Sequence, residues 1–595
     1  MGKELKARAE MDPRFQWNLD DIFATPEAFE DELAAVGALA EEIARGKGHV
    51  AEDPGKYIRS YFEVTERVEK LYSYAMMAHD SDGSNGTYTA WLGRVQTVAV
   101  SLEAAGSYLT PELLEMPAER LAALKDEPDM QPYTVFIGEV LRNRVHTLPA
   151  EQEQLLAMAS DSLETPSNAF RTLSDVELPM PMVPDGEGGE VRLSHGKYQP
   201  LIRSSKREVR EAAFKGMMNT YGSFGGTVSA LYGGSVKRHV FNARVRHYGS
   251  ALESALEPDQ VPVSVYENLL KEVDGALPTL NRYLEIRKRL LKVDELHLYD
   301  LYVPMIGGVD FPISYEDACS MVLDALAPLG EEYLSVLRRA FSERWIDVYE
   351  NKAKRSGAYS NGVYGVHPYV LLNFENNLDS ASTLAHELGH TMHSYYSDRT
   401  QPFPKAGYSL FVAEVASTCN EVLLNRYLQR KYQEQPEMVK YLLNDLLESF
   451  RTTVVRQTMF AAFEKKSHEM AERGEALTKE ALSEAYLELN RHYYGGACHV
   501  DEEIAWEWMR IPHFYRDFYV YKYATSFSAA VTIADRILKE GEPAVRDHLH
   551  FLSLGGSVPP IEALKVDGVD MSGPEPVHRA MQVFAETVDQ LEKLL

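Results

Sequence analysis

Cysteine is almost missing: 595 residues contain three, Cys319, Cys419 and Cys498, widely spaced and without the pairing of metal ligands. That excludes a disulfide framework and suits a reducing compartment, so a cytoplasmic location is expected. No apolar run reaches the roughly eighteen residues of a membrane-spanning helix. The opening MGKELKARAEMDPRFQW lacks the apolar stretch of a secretory signal, and Lys6 breaks the myristoylation pattern that Gly2 would begin. Positive charge is also short. Against 89 Asp and Glu stand 61 Lys and Arg, a net charge of −28. Such a surface repels phosphate backbones and anionic lipids, which argues against nucleic-acid and membrane partners.

What is present is the balance of a folded soluble protein, 45% hydrophobic and 25% charged, with length for two to four domains. Helical periodicity dominates. Thr25-Pro26-Glu27 supplies an N-cap, a proline at the first helical position and an early acid. Further helices are predicted over about 56–80, 86–105, 110–125, 134–146 and 150–160, an antiparallel array with short connections. Residues 177–194, ELPMPMVPDGEGGEVRLS, read as a β-hairpin turning at Asp185–Gly189. A boundary there divides an N-terminal helical domain, residues 1–200, from a second domain, residues 201–595. A glycine- and tyrosine-rich stretch, 354–374, ends in the apolar run Tyr369–Phe374, which suits a strand. The expected class is mostly α with a small β element.

The segment TLAHELGHTMHSYYS (383–397) places His386 and His390 four residues apart on a helix predicted over about 380–397, capped by Asp379 or Ser380. Both imidazoles then project from one face and can share a single Zn²⁺, with Glu387 beside the reacting water. The bland alternative is an ordinary helix with polar residues on one face. A loop with Pro402, Pro404 and Gly407 follows, and Ser409 suits the N-cap of a second helix. If that helix returns antiparallel, Glu414 comes level with His390 and completes a His₂Glu site that leaves a fourth position open. His393 lies about 10 Å along the axis from His386, too far to share a metal, and reads either as packing or as a support for a metal-bound residue. Glu421, two turns past Glu414, is either a solvated acid or the acceptor of the second ring proton of a zinc-bound histidine.

A zinc ion in such a site activates water and polarises a carbonyl. Glu387 would take the water's proton and return it to a leaving nitrogen. The oxyanion that forms gains from neutral donors facing it. Residues 511–523, IPHFYRDFYVYKY, hold six aromatics in thirteen positions. In helical projection Phe514, Phe518 and Tyr521 form one stripe, which reads as core, and Tyr515, Tyr519 and Tyr523 another. The all-tyrosine stripe is either packing or a set of hydroxyls aimed at a substrate, since buried hydroxyls need partners. His513 and Tyr523 can serve one site only if His513 sits in a loop folded over the helix start, as Pro512 permits.

With TLAHELGHTMHSYYS, FVAEVASTCNE and IPHFYRDFYVYKYAT in that order, the chain resembles the oligoendopeptidase F branch of the thimet oligopeptidase-like zinc peptidases. Weaker echoes are WNLDDIF (17–23), SALESALEPDQVPVSVYENLL (250–270) and the 354–374 stretch. The resemblance implies an elongated helical zincin with a small β element and a deep substrate channel between two helical halves. It implies one Zn²⁺ per chain on His386, His390 and Glu414, with Glu387 as general base and Glu421 supporting a ligand. It also implies His513 and Tyr523 as transition-state donors. Tyr515, Tyr521, Gly357, Leu372 and Asn373 become candidates for holding substrate. The run Tyr369–Phe374 would be an edge strand that pairs with an extended peptide, and Gly357, Gly362 and Gly365 would let the neighbouring loop approach that peptide.

The expected function is zinc-dependent hydrolysis of internal bonds in short oligopeptides, by a monomer or small homo-oligomer. A dipeptidyl carboxypeptidase is the alternative within enzymes, although no Arg or Lys stands out as a captor of a terminal carboxylate. A non-catalytic zinc- or peptide-binding scaffold is the alternative outside them, and such a scaffold has no need of Glu387.

Overall fold

The computed structural model describes residues 4–307 and 311–595. Helices hold 72% of the residues and strands 3%, so the architecture is mostly α. The helices that carry the residues of interest are α1 (Gly225–Val245), α2 (Leu378–Thr400), α3 (Leu410–Lys431), α4 (Arg456–Glu472) and α5 (Tyr521–Glu540). The strands are β1 (Met182–Pro184), β2 (Glu190–Arg192), β3 (Ile346–Asp347), β4 (Tyr359–Asn361) and β5 (Tyr369–Leu371). The chain forms two compact units, each assembled from three segments. One comprises Met1–Val145, Asp310–Tyr427 and Ile533–Val569; the other comprises His146–Val309, Leu428–Thr532 and Asp570–Leu595.

In the first unit, helices Pro26–Ala44, Pro54–Ser81 and Gly86–Gly106 pack together. The Thr25 hydroxyl accepts from the Ala28 N–H at 3.2 Å, the cap expected there. Phe29, Tyr74 and Trp91 join the three helices with ring centroids 5.0–5.8 Å apart. The helix expected over about 110–125 is broken into Leu109–Glu115 and Ala118–Ala123. Pro117 is the cause, because it holds Met116 extended at ψ 152°.

A three-stranded sheet in the same unit has the order β3-β5-β4, with β5 parallel to β3 and antiparallel to β4. The apolar run at Tyr369 is therefore the middle strand, not the expected edge. All three residues of β5 are buried, and a run of consecutive apolar residues is what burial on both faces requires. The edge beside α2 is β4: Ser360 and Thr391 share a hydrogen bond of 2.9 Å across the contact. Gly362 permits the approach, since a Cβ there would stand 3.0 Å from Ser394 Cβ.

In the second unit, β1 and β2 form the expected antiparallel hairpin, with Val183 opposite Val191. Its turn is closed by Asp185, whose carboxylate accepts from Glu187 N–H at 2.7 Å and Gly189 N–H at 3.0 Å. Pro436–Ser449 continues through a wide turn, Phe450–Val455, into α4. There Arg451 is buried against Glu448 at 2.8 Å, and Arg287 meets the same carboxylate at 2.6 Å.

The stretch 511–523 is not one helix. Pro512–Tyr515 form a tight 3₁₀ turn, the chain then breaks, and α5 starts only at Tyr521. Phe518 sits at the break with φ 45°, held by its N–H to Glu464 Oε1 at 2.8 Å. Phe514 and Phe518 are buried, as expected of packing rings. The two helical stripes do not exist as such, and helical projection fails because a buried carboxylate competes for the backbone. Among the described residues no helix is long and apolar enough to cross a membrane, and all three cysteines carry free thiols.

Candidate metal centre

The cap of α2 is Asn377, two residues before Asp379 and three before Ser380: its Oδ1 accepts from Ser380 N–H at 2.8 Å. Helix α3 starts after Ser409 as expected, yet the Ser409 hydroxyl finds no hydrogen-bond partner among the described residues. The two helices run antiparallel, because rising positions on α3 meet falling positions on α2. Glu414 meets His390, Ala416 and Ser417 meet Gly389, and Asn420 Nδ2 donates to Ala385 O at 3.1 Å. The contact at Gly389 is backbone on backbone. A Cβ there would lie 2.4 Å from Ser417 Cα and 2.6 Å from Ala416 O. The glycine between the two histidines is thus what lets the third donor come close.

His386 Nε2 and His390 Nε2 lie 3.2 Å apart, and Glu414 Oε2 lies 3.4 and 3.5 Å from them. A tetrahedral zinc with bonds of about 2.0–2.1 Å has ligand edges of roughly 3.3 Å. Two imidazole nitrogens and one carboxylate oxygen at this spacing fit that ion and leave its fourth position open. Ser417 Oγ donates to Glu414 Oε2 at 3.1 Å and fixes the carboxylate, a support that no sequence motif announces. Glu421 Oε1 lies 3.1 Å from His386 Nδ1, so this partly exposed carboxylate can orient that ring. Without metal, burial opposes charge on His386, but Glu414 and Glu421 outweigh it and raise its pKa to about 10. The same contacts hold the Glu414 carboxyl well below its ordinary value against its own burial. A cation entering the cluster replaces that proton.

Glu387, next along α2, is buried, and burial raises its pKa despite the nearby histidines. A carboxylate so poised both takes and returns a proton. His393 is buried and stacks on Tyr408 with centroids 3.7 Å apart, which is the packing role among the two open to it. The loop residues have structural work too. Leu372 is buried and its N–H donates to Asp347 O at 2.8 Å. Asn373 Nδ2 braces Arg355 O and Gly357 O at 3.0 and 2.8 Å, and Gly357 adopts φ 86°.

In the second unit, His513 lies in the 3₁₀ turn and folds over the start of α5. Its ring is parallel to that of Tyr519 at 5.9 Å and edge-on to that of Tyr523 at 6.1 Å. The hydroxyls of Tyr519 and Tyr523 are 3.5 Å apart. Burial, then Arg516 and Arg456, push the His513 pKa below its ordinary value, so the ring is neutral and has an N–H to donate. Tyr515 and Tyr521 are buried; Tyr515 stacks on Phe170 at 4.3 Å and Tyr521 packs on Tyr266 at 5.1 Å. Tyr519 was expected only as part of a stripe. Its place beside His513 follows from the chain break at Phe518, which the sequence does not mark.

Residues 201–583 match the model of peptidase family M3, and residues 112–179 match that of oligopeptidase F. The chain belongs to peptidase family M3. It is similar to oligopeptidase PepF of Bacillus subtilis, 42% identical over 100% of this chain and 89% of that one. Among solved structures, one from Chlamydophila abortus is 34% identical with TM-score 0.93 and covers 100% of both chains. The oligoendopeptidase-F of Enterococcus faecium is 35% identical with TM-score 0.75, covering 96% of this chain and 99% of that one. As an M3 member the chain is a peptidase, a hydrolase of peptide bonds, of a family that is generally metal-dependent.

Proposed function

We propose that this M3 peptidase is a zinc-dependent endopeptidase that cuts internal bonds of short oligopeptides. The observation that carries the reading is the triangle of His386 Nε2, His390 Nε2 and Glu414 Oε2, with edges of 3.2–3.5 Å. When bound there, zinc supplies Lewis acidity, making water more acidic and a carbonyl more electrophilic. Glu387 removes the water's proton as the oxygen attacks, then delivers it to the departing nitrogen, which its buried, raised-pKa carboxyl favours. Glu421 holds the His386 ring, and Ser417 holds the Glu414 carboxylate. His513 and Tyr523, supported by Tyr519, donate hydrogen bonds to the oxyanion of the tetrahedral intermediate.

An extended substrate adds to β4 as a further strand. Two observations support this. Strand β4 is the sheet edge fastened to α2, and β5 is its sole strand partner among the described residues. Terminally blocked peptides are then cleaved as readily as free ones, because no captor of a terminal charge takes part. Glu387→Gln tests the mechanism: metal content stays at the wild-type level while turnover falls by about 10²–10⁴-fold. Turnover at the wild-type rate in that variant would overturn it.

A further inference from the structure

The second unit holds another convergence of donors, none of them a residue of the His386, His390 and Glu414 cluster. His239 on α1 and His468 on α4 are buried, and their rings are nearly parallel, 4° apart. His239 Nδ1 lies 3.1 Å from His468 Nε2 and 3.4 Å from Asp517 Oδ1, and the third edge, His468 Nε2 to Asp517 Oδ1, is 3.8 Å. These edges bracket the roughly 3.3 Å expected of a tetrahedral zinc.

Tautomers follow from the partners. Glu464 O, 2.8 Å from His468 Nδ1, only accepts, so Nδ1 carries the ring hydrogen and Nε2 points a lone pair into the cluster. A ring nitrogen anchored by a backbone carbonyl is how a metal-binding imidazole is usually held. The Arg238 guanidinium, 3.2 Å from His239 Nε2, only donates, so His239 donates through Nδ1 to His468 when no cation is present. A cation takes the place of that hydrogen on Nδ1, the hydrogen moves to Nε2 by exchange with solvent so that the ring stays neutral, and the Arg238 guanidinium, largely buried and paired with Glu164, gives up its bond to that nitrogen.

The one guanidinium beside the cluster among the described residues, that of Arg238, is paired with Glu164, which leaves two carboxyl groups for a cation. Asp517 has no Lys or Arg within ion-pair distance among the described residues. Glu464, one helical turn before His468, is fully buried; Oε1 accepts from Phe518 N–H, while Oε2 has no hydrogen-bond partner among the described residues. Burial and then the charge of Asp517 raise the Glu464 pKa. Two carboxyl groups thus face two neutral imidazoles. A third group, His297, His499 and Asp501, is closed by contrast. There Asp501 already accepts from His297 Nδ1 at 2.8 Å and from Leu298 N–H at 3.1 Å.

We propose that His239, His468 and Asp517 bind a second divalent transition-metal ion, of the zinc or cobalt class. Asp517 lies between Tyr515 and Tyr519, so the ion pins the turn that carries His513 and Tyr519 to α1 and α4.

The test uses the full chain, stripped of metal and titrated with Co²⁺ and with Zn²⁺, bound metal being counted after desalting. Two equivalents per chain are expected, with a visible Co²⁺ spectrum of low coordination number for each. Asp517→Asn and His468→Gln should each weaken the second equivalent by at least about tenfold and leave the first unchanged. Glu414→Gln should do the reverse. His499→Ala, at the closed group, should change neither. The proposal fails if the wild type stops at one equivalent. It also fails if the second equivalent survives in both Asp517→Asn and His468→Gln, or is lost in His499→Ala. Asp517 is partly exposed, so its conservative variant keeps the fold and the test stands if His468→Gln does not.

Discussion

Tyr519 and Tyr523 bring their hydroxyls within 3.5 Å of each other beside His513, whereas the Tyr515 hydroxyl is buried with no hydrogen-bond partner among the described residues. The difference separates donors from packing. Steady-state kinetics on Tyr523→Phe should show kcat lowered by about 10²-fold or more with KM changed little, as for a donor used in the transition state. A loss confined to KM would make Tyr523 a substrate-holding group only. Tyr515→Phe should leave kcat within about threefold, because the hydroxyl it removes has no hydrogen-bond partner among the described residues. At this scale the pair His386 and His390, and the level of Glu414, were legible because an α-helix has one geometry. Ser417 and Tyr519 were not legible, because their roles depend on which neighbour the fold supplies. Distance along the helix removed His393 from the ligands but left two roles open, and its stacking on Tyr408 favours packing.

Among the elements, the approach of α2 to α3 decides whether the three donors meet, and Gly389 decides the approach. Gly389→Ala drives a methyl group into the Ser417 backbone, so the helices must part. Thermal denaturation should show a loss of about 1–3 kcal/mol, and metal analysis should show weakened binding at His386, His390 and Glu414. Gly37 is the internal control. It lies within helix Pro26–Ala44 with nothing within 4 Å of its added Cβ, so Gly37→Ala should stabilise by about 0.5–1 kcal/mol. The long helices and the β1–β2 hairpin were legible from caps, periodicity and turn residues. Strand order was not: the apolar run Tyr369–Leu371 announced a strand, but only its burial on both faces makes it the middle one. The break at 511–523 was legible only as the loop that Pro512 allows, since Glu464, which captures the Phe518 N–H, is 54 residues away.

Taken whole, the molecule has 28 more acidic than basic residues, yet some of its acids are bound into buried ion pairs. Burial would raise the pKa of Glu448, but Arg451 and Arg287 outweigh it and lower it from 4.5 to about 2. Arg456 and Arg510 do the same for Glu507, also to about 2. Both groups release their protons more readily folded than unfolded. Their stabilisation is therefore complete above pH 4.5 and drains away between 4.5 and 2, a few kcal/mol in all. Denaturant midpoints measured across that range should fall, and Glu507→Gln should flatten the fall while lowering stability at pH 7. A midpoint independent of pH over this window would contradict the pairing. Mostly helical architecture and the excess of acid were plain from composition; the division into two units, each stitched from three segments, was not, because it arises from contacts remote in sequence. The central claim is that a metal held by His386, His390 and Glu414 drives peptide-bond hydrolysis, and one measurement meets it head-on. Metal-stripped wild type and His390→Ala are titrated with zinc while cleavage of an internal bond in a terminally blocked peptide is followed. Activity should return in the wild type and stay absent in His390→Ala at every zinc concentration; wild-type turnover in that variant would contradict the account.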